Sequence, residues 1–192
     1  MSKKNASRGF TLVELLVTIG IVGILTVIGL PAMRDTLERN SVSGQVNTFI
    51  GALRFARSEA IKRGLTIKMC RAVGAESATT PACTTGGGNA SPGWATGWIV
   101  FIDRNDNGTM DATDILLRAQ EEMTSSGGIL GGAGNVVFLF RPNGMLAASG
   151  ASQFTFKSKS QDSAQERRVC VSTQGRARIA ASATTSCTDT DV

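Results

Sequence analysis

The feature that most restricts this chain is an apolar run from Phe10 to Met33, entered through the basic stretch Met1-Ser2-Lys3-Lys4-Asn5-Ala6-Ser7-Arg8-Gly9. As a helix the run would span roughly 36 Å, enough to cross a hydrocarbon core of about 30 Å. Lys3, Lys4 and Arg8 on its amino side assign that end to the cytoplasm by the positive-inside rule. A secretory signal peptide fits poorly. Its apolar stretch should hold about 7–15 residues and end at a small-residue cleavage site, whereas here the run is longer and Gly9 precedes it. A plain anchor leaves Glu14 unexplained, because a carboxylate in hydrocarbon costs up to about 3 kcal/mol on insertion scales. Such a residue usually has a partner.

The residues Gly9-Phe10-Thr11-Leu12-Val13-Glu14-Leu15-Leu16 resemble the type IV prepilin leader and processing site. The resemblance implies that a prepilin peptidase cuts between Gly9 and Phe10 and methylates the new terminus. It also implies that Glu14 pairs with the terminal amine of a neighbouring subunit during assembly. Physics agrees, since cleavage creates a cation at the apolar boundary that a buried carboxylate one subunit away can neutralise. Pro31 removes the donor for the Val27 carbonyl, so with Gly29 beside it this is the expected kink.

Beyond the run, Val42, Val46, Phe49, Leu53, Ala56 and Ala60 recur at steps of three and four and draw one apolar stripe. Arg39, Arg54, Arg57, Lys62 and Arg63 fall largely off it, and Gly64 follows as a helix stop. One helix over 10–63 is therefore expected. From Leu65 the pattern changes to short β-like runs: Leu65–Arg71, Trp98–Ile102, Ile115–Arg118, Val136–Phe140, Phe154–Lys157, Arg167–Ser172 and Arg176–Ala181. Gly- or Ser/Thr-rich stretches such as Thr84–Gly93 and Ser125–Gly134 read as loops between them. The fold class is α+β, with the long helix packed against one antiparallel sheet. The expected organisation is a cleaved leader (1–9), a transmembrane and filament-core helix (10–33), its amphipathic continuation (34–63) and a β-rich domain (64–192). With 22 glycines and only 5% aromatic residues, that domain should have a thin core and many turns.

This layout resembles the FimT/GspH group of minor pilins and pseudopilins. The likeness is close in the leader and in Leu53–Arg63, and fair across Gly97–Asp103. It implies the type IV pilin fold, other pilins as partners in a filament, and single passage through the bacterial inner membrane. The soluble domain would then face the periplasm before reaching the pilus and the cell surface.

The chain contains no histidine, which excludes His-dependent triads, His metal sites and imidazole acid–base catalysis. Its Ser, Thr and Cys side chains thus lack the usual base, it contains no P-loop, and an enzyme is not expected. The net charge of +5 comes from twenty Lys and Arg against fifteen Asp and Glu. Three of those cations lie in the leader, and without them the excess falls to +2, so any case for nucleic acid rests on local clustering. Cys70, Cys83, Cys170 and Cys187 form no CxxC pair. Close spacing favours Cys70–Cys83 and Cys170–Cys187 among the three possible pairings, and paired cysteines require an oxidising compartment.

Two stretches are candidate binding sites. Asp103–Asp114 places Asp103, Asn105, Asn107, Asp111 and Asp114 at positions 1, 3, 5, 9 and 12 of an EF-hand-like calcium loop, with Gly108 at position 6. Asp114 is short for the bidentate Glu of that position, and strand-like runs flank the loop. A hairpin turn with Asn and Asp side chains capping backbone groups, and Gly108 at positive φ, is the favoured reading. No cofactor is expected, calcium being the one candidate.

The second stretch is the cation-rich tail: Lys157, Lys159, Arg167, Arg168, Arg176 and Arg178, interrupted by Asp162 and Glu166. Residues two apart share a strand face, so Arg176 and Arg178 form a pair. Alone, such a pair is usually a solvated face. Gly175-Arg176-Ala177-Arg178, however, resembles the GRxR sequence of FimT-type minor pilins, where it implies DNA binding in natural transformation. Carried over, Gly175 makes the turn and Arg176 and Arg178 contact phosphate. The rival reading is a structural pseudopilin of a type II secretion filament, or a pilus-priming tip subunit, in which these arginines are incidental. For either reading, the mass of the protein taken from its native membrane should correspond to a chain beginning at N-methylated Phe10. An intact start, or a cut beyond Met33, would remove the basis for both.

Overall fold

A computed structural model describes residues 10–78, 81–84, 90–131, 137–147, 152–180 and 186–187, apart from the side chains at 28 and 30–32. The expected leader, with Lys3, Lys4, Arg8 and Gly9, lies outside these residues, as do the side chain of Pro31 and the ends of the strands expected at Val136 and Ala181.

Helix α1 runs Leu12–Arg63 and passes through position 31 as one element. It starts on a capping box. The Glu14 N–H donates to Thr11 Oγ1 at 3.2 Å, and Glu14 Oε2 accepts from the Thr11 N–H at 3.1 Å. It stops at Gly64, whose φ is +65°, with Lys62 and Arg63 in the last turn complementing the helix dipole. The chain divides into two compact units, Met1–Leu37 and Glu38–Val192. In the first, Phe10, Leu12, Leu16, Ile19, Ile24 and Val27 are all more than half exposed. A helix apolar on every side needs lipid or other apolar surfaces around it. Among the described residues no helical stretch is long and apolar enough to cross a membrane. Positions 28 and 30–32, inside the apolar run, fall outside that description.

The second unit holds the β structure. Its strands are β1 (Ile67–Arg71), β2 (Trp98–Ile102), β3 (Ile115–Gln120), β4 (Gly128–Gly131), β5 (Val137–Phe140), β6 (Ser152–Lys157), β7 (Arg167–Val171) and β8 (Ala177–Ile179). They form two four-stranded sheets rather than the single sheet expected, ordered β3-β2-β1-β5 and β4-β6-β7-β8, with every pairing antiparallel. The extra strand is β4, within the stretch read as a loop.

The apolar stripe of α1 from Val42 to Ala60 is fully covered, as its spacing predicts. Phe49 is the hub. Its ring meets Trp94, Trp98, Phe138, Phe154 and Phe156 at centroid distances of 5.0–6.2 Å, mostly edge to face. Six of the few aromatics are thus gathered into one dense cluster, Phe49, Trp94, Trp98, Phe138, Phe154 and Phe156, and the expectation of a thin core fails on distribution, not on number. A smaller cluster of Cys70, Ala72, Ala75, Ile99 and Phe101 lies apart from the main core, next to the Cys70–Cys83 disulfide.

The loop between β2 and β3 is a hydrogen-bonded turn. Asn105 and Asn107 donate their side-chain amides to Asp111 Oδ2 at 2.9 and 2.7 Å. Thr113 donates both its N–H and hydroxyl to Asp111 Oδ1, which with the two asparagines holds the Asp111 carboxyl well below the usual carboxylate range. Asp114 accepts from the Arg104 and Asp111 N–H groups, and Gly108 has φ +85°. Asp103 is buried and ion-paired to the buried Lys68 of β1, which also reaches Asp106 at 3.3 Å. Burial pushes the Asp103 carboxyl up, but the hydrogen bonds from Lys68 and the Gly108 N–H together prevail and hold it low.

Two outcomes follow from this packing. Phe49→Ala should cost about 3–5 kcal/mol in urea denaturation, and a loss under about 1 kcal/mol would contradict its place at the centre. Because the Asp103 pKa is lowered on folding, its contribution is fully present above about pH 4 and is lost as pH falls through the folded value. The urea midpoint should therefore drop below pH 4, and less steeply in Asp103→Asn. Lys68→Met, which strands the buried carboxylate, should cost about 3–5 kcal/mol at pH 7.

Candidate functional site

The GRxR-like segment forms the hairpin between β7 and β8. The Gly175 N–H donates to the Ser172 carbonyl and the Ser172 N–H to the Arg176 carbonyl, both at 2.9 Å. These bonds close a three-residue loop whose last residue, Gly175, is left-handed at φ +73°, the position such hairpins reserve for glycine. Space forbids a side chain as well: a Cβ on Gly175 would come within 2.7 Å of the Gly144 carbonyl oxygen. Gly144 is itself the tip of the turn after β5, and a Cβ there would lie 2.7 Å from Ile61 and 3.1 Å from Arg57 Nε. Two successive close approaches therefore seat the arginine hairpin against the last turns of α1.

This contact leaves a groove of about 490 Å³. One wall is helical, made of Arg54, Arg57, Ser58 and Ile61 of α1. The other is Gly175, Arg176 and Ala177. Arg54 and Arg57 are three apart on α1 and so share a face. Spacing pointed to that pair only as residues off the apolar stripe, and nothing in the sequence signals that they meet Arg176. Among the described residues, none of the three arginines is ion-paired to a carboxylate. The nearest acid on the helix, Glu59, already pairs with Arg63 and Lys62.

The structure divides the two arginines of the motif. Arg176 is exposed and lines the groove, whereas Arg178 is half-buried in β8, paired in register with Cys170. Arg168, two residues from Cys170 on β7, shares that outer face of the sheet with Arg178. The Cys170–Cys187 disulfide lies on the same face, so Cys187 is tied back to the sheet.

The remaining cations do not converge on the hairpin. Lys157 ends β6 and is ion-paired to Glu166 at 3.6 Å. Lys159 donates to the Thr124 carbonyl, and Arg167 begins β7 opposite Phe156. They lie at the far end of the strands, five residues along β7 and its turn, or roughly 16 Å, from Ser172. In the loop after β2, Asp103, Asn105, Asn107, Asp111 and Asp114 are engaged by the hydrogen bonds and ion pair described above. Among the described residues no group of three or more His, Cys, Asp or Glu side chains is placed to hold a metal ion. In the first unit, Phe10 is exposed and Glu14 caps its own helix. The Thr11-x-x-Glu14 spacing is itself the signal for that cap, a role to which the resemblance does not point.

Comparison with known proteins agrees with this architecture. The chain spans 52% of Fimbrial protein Q of Moraxella bovis, with 36% identity over 43% of its own length. It spans 32% of Prepilin peptidase-dependent protein D of Escherichia coli K12, with 46% identity over 24% of its own length. It thus covers about half, or less, of the curated relatives it matches. The crystal structure of the type IV minor pilin FimU of Pseudomonas aeruginosa superposes with a TM-score of 0.57, covering 79% of this chain and 97% of that one. At 17% identity, that likeness concerns the fold, a long N-terminal helix followed by antiparallel sheets. Residues 4–30 match the prokaryotic N-terminal methylation motif. Residues 45–175, more than half of the chain, match the family described as type II transport protein GspH, so the chain belongs to the GspH family of minor pilins and pseudopilins.

Proposed function

We propose that this protein is a minor pilin that retains DNA on its arginine hairpin during uptake, after peptidase processing at Gly9–Phe10 and passage through the inner membrane. The observation that carries the reading is the hairpin itself. Its glycine is required by backbone geometry and by space, and it presents Arg176 at an exposed position with no carboxylate partner among the described residues. Arginine suits phosphate through its permanent charge and forked donors. Contacts limited to phosphate carry no base information, so binding is weak and indifferent to sequence. Several copies in one filament would raise it by avidity. The exposed apolar side chains from Phe10 to Val27 support the membrane and filament-core roles, in which Glu14 exchanges its capping bond for a neighbouring subunit's amine.

The rival reading is a structural pseudopilin, favoured by the name of the matching family, type II transport protein. That match ends at Gly175, so the two arginines lie just past it. The readings separate on one measurement with the detergent-solubilised full chain. Arg176→Ala with Arg178→Ala should abolish most retention of duplex DNA while leaving the thermal unfolding midpoint within a few degrees. Equal mobility shifts for wild type and double variant would reject the DNA reading and leave the pseudopilin. For about two to four neutralised phosphates, log affinity should fall against log salt with a slope near −0.9 per phosphate.

A further inference from the structure

We infer that the DNA-retaining surface is the whole groove between α1 and the β7–β8 hairpin, with Arg54 and Arg57 of the helix as phosphate ligands equal in weight to Arg176. The inference rests on the DNA reading and extends it to residues outside the GRxR-like segment.

Three observations carry it. First, the groove is built, not incidental, because the Gly175–Gly144 and Gly144–Arg57/Ile61 approaches leave no room for a Cβ at either glycine. They fix the spacing of its walls. Second, the three cations converge on about 490 Å³ of open space without a carboxylate among the described residues to neutralise them. Like charges held together in this way raise the local potential and favour a polyanion over a single counter-ion. Third, the Arg57 Nε–H is itself buried and has no acceptor among the described residues. A buried donor of this kind costs stability unless something fills it, and a phosphate oxygen in the groove is a suitable acceptor.

The other lining residues narrow the ligand. Ser58 supplies a hydroxyl, and Ile61, 54% exposed, gives an apolar wall for a deoxyribose. Among the described residues no aromatic side chain lines the groove, so they offer no platform for base stacking of the kind single-strand binders use. The groove therefore reads the sugar–phosphate backbone and not the bases.

The test uses the detergent-solubilised full chain and a fluorescent duplex oligonucleotide, with affinity measured across a salt series. Arg54→Gln with Arg57→Gln should weaken binding roughly tenfold and lower the salt slope by about 1–2. Arg54→Lys, which keeps the charge, should retain most of the slope. Arg54 is exposed, so Arg54→Gln alone, with a slope reduced by about one, decides the matter should the double variant unfold. If the helix variants bind like wild type while Arg176→Ala with Arg178→Ala does not, the groove is overturned and the hairpin reading stands. If wild type itself fails to retain DNA, or binds anionic phospholipid vesicles instead, both fall together.

Discussion

The fold of the second unit depends on how one aromatic ring is enclosed. Phe49 projects from the middle of the α1 stripe into a cage of Trp94, Trp98, Phe138, Phe154 and Phe156, drawn from both sheets and from the short turn at Trp94–Thr96. Full burial of such a ring contributes about 2–3 kcal/mol from area alone, and edge-to-face contacts add to it. The more important consequence is geometric. A helix seated by one large knob cannot rotate or slide without emptying the cage, so the side chains of α1 within the second unit, from Glu38 to Arg63, have a set azimuth. Arg54 and Arg57 face the hairpin because Phe49 and Leu53 face the core.

The same constraint explains which parts of the fold the sequence makes legible. The stripe from Val42 to Ala60 is read without ambiguity because six apolar residues keep helical spacing with cations between them. Trp98–Ile102 is equally clear, as a short run made wholly of aromatic and β-branched residues favours a strand buried on both faces. Strand β4 is hidden for the opposite reason. Gly128-Ile129-Leu130-Gly131 has no alternation, and its glycines signal a loop, yet Gly131 is needed because a Cβ there would lie 2.7 Å from the Phe154 ring. With β4 unseen, the second sheet lacks an edge and the strands fold on paper into one. Lys68 was equally illegible. Nothing local to the strand marks it, and only the loop returning from β2 brings Asp103 onto it.

The candidate site was legible by halves. Gly175, Arg176 and Arg178 stand out through their resemblance to the GRxR sequence, since alternating arginines alone read as a solvated strand face. The helical wall does not, since nothing local links position 57 to position 175. That link is made by Gly144, a turn residue whose importance lies in the side chain it lacks. Alternation also predicts that Arg176 and Arg178 act as a pair, but position divides them. Arg176 belongs to the turn and opens on the groove, while Arg178 belongs to β8 and lies on the disulfide side of the sheet.

Net charge describes this protein poorly because its acids are spent unevenly. Asp103 neutralises Lys68, Glu59 faces Arg63 and Lys62, and Glu166 faces Lys157. Each of these pairs removes a cation from the field a polyanion would meet. Among the described residues, Arg54, Arg57 and Arg176 are left without a carboxylate partner where the last turns of α1 meet the last hairpin. A chain with a small overall excess of positive charge can thus present a strong local one, provided its carboxylates are placed elsewhere. On the reading proposed above, several copies of such a patch in one filament would add their weak contacts to a continuous phosphate backbone. Aromatic stacking or base readout would work against that proposed use, because a surface for holding any sequence gains from contacting only the part every sequence shares.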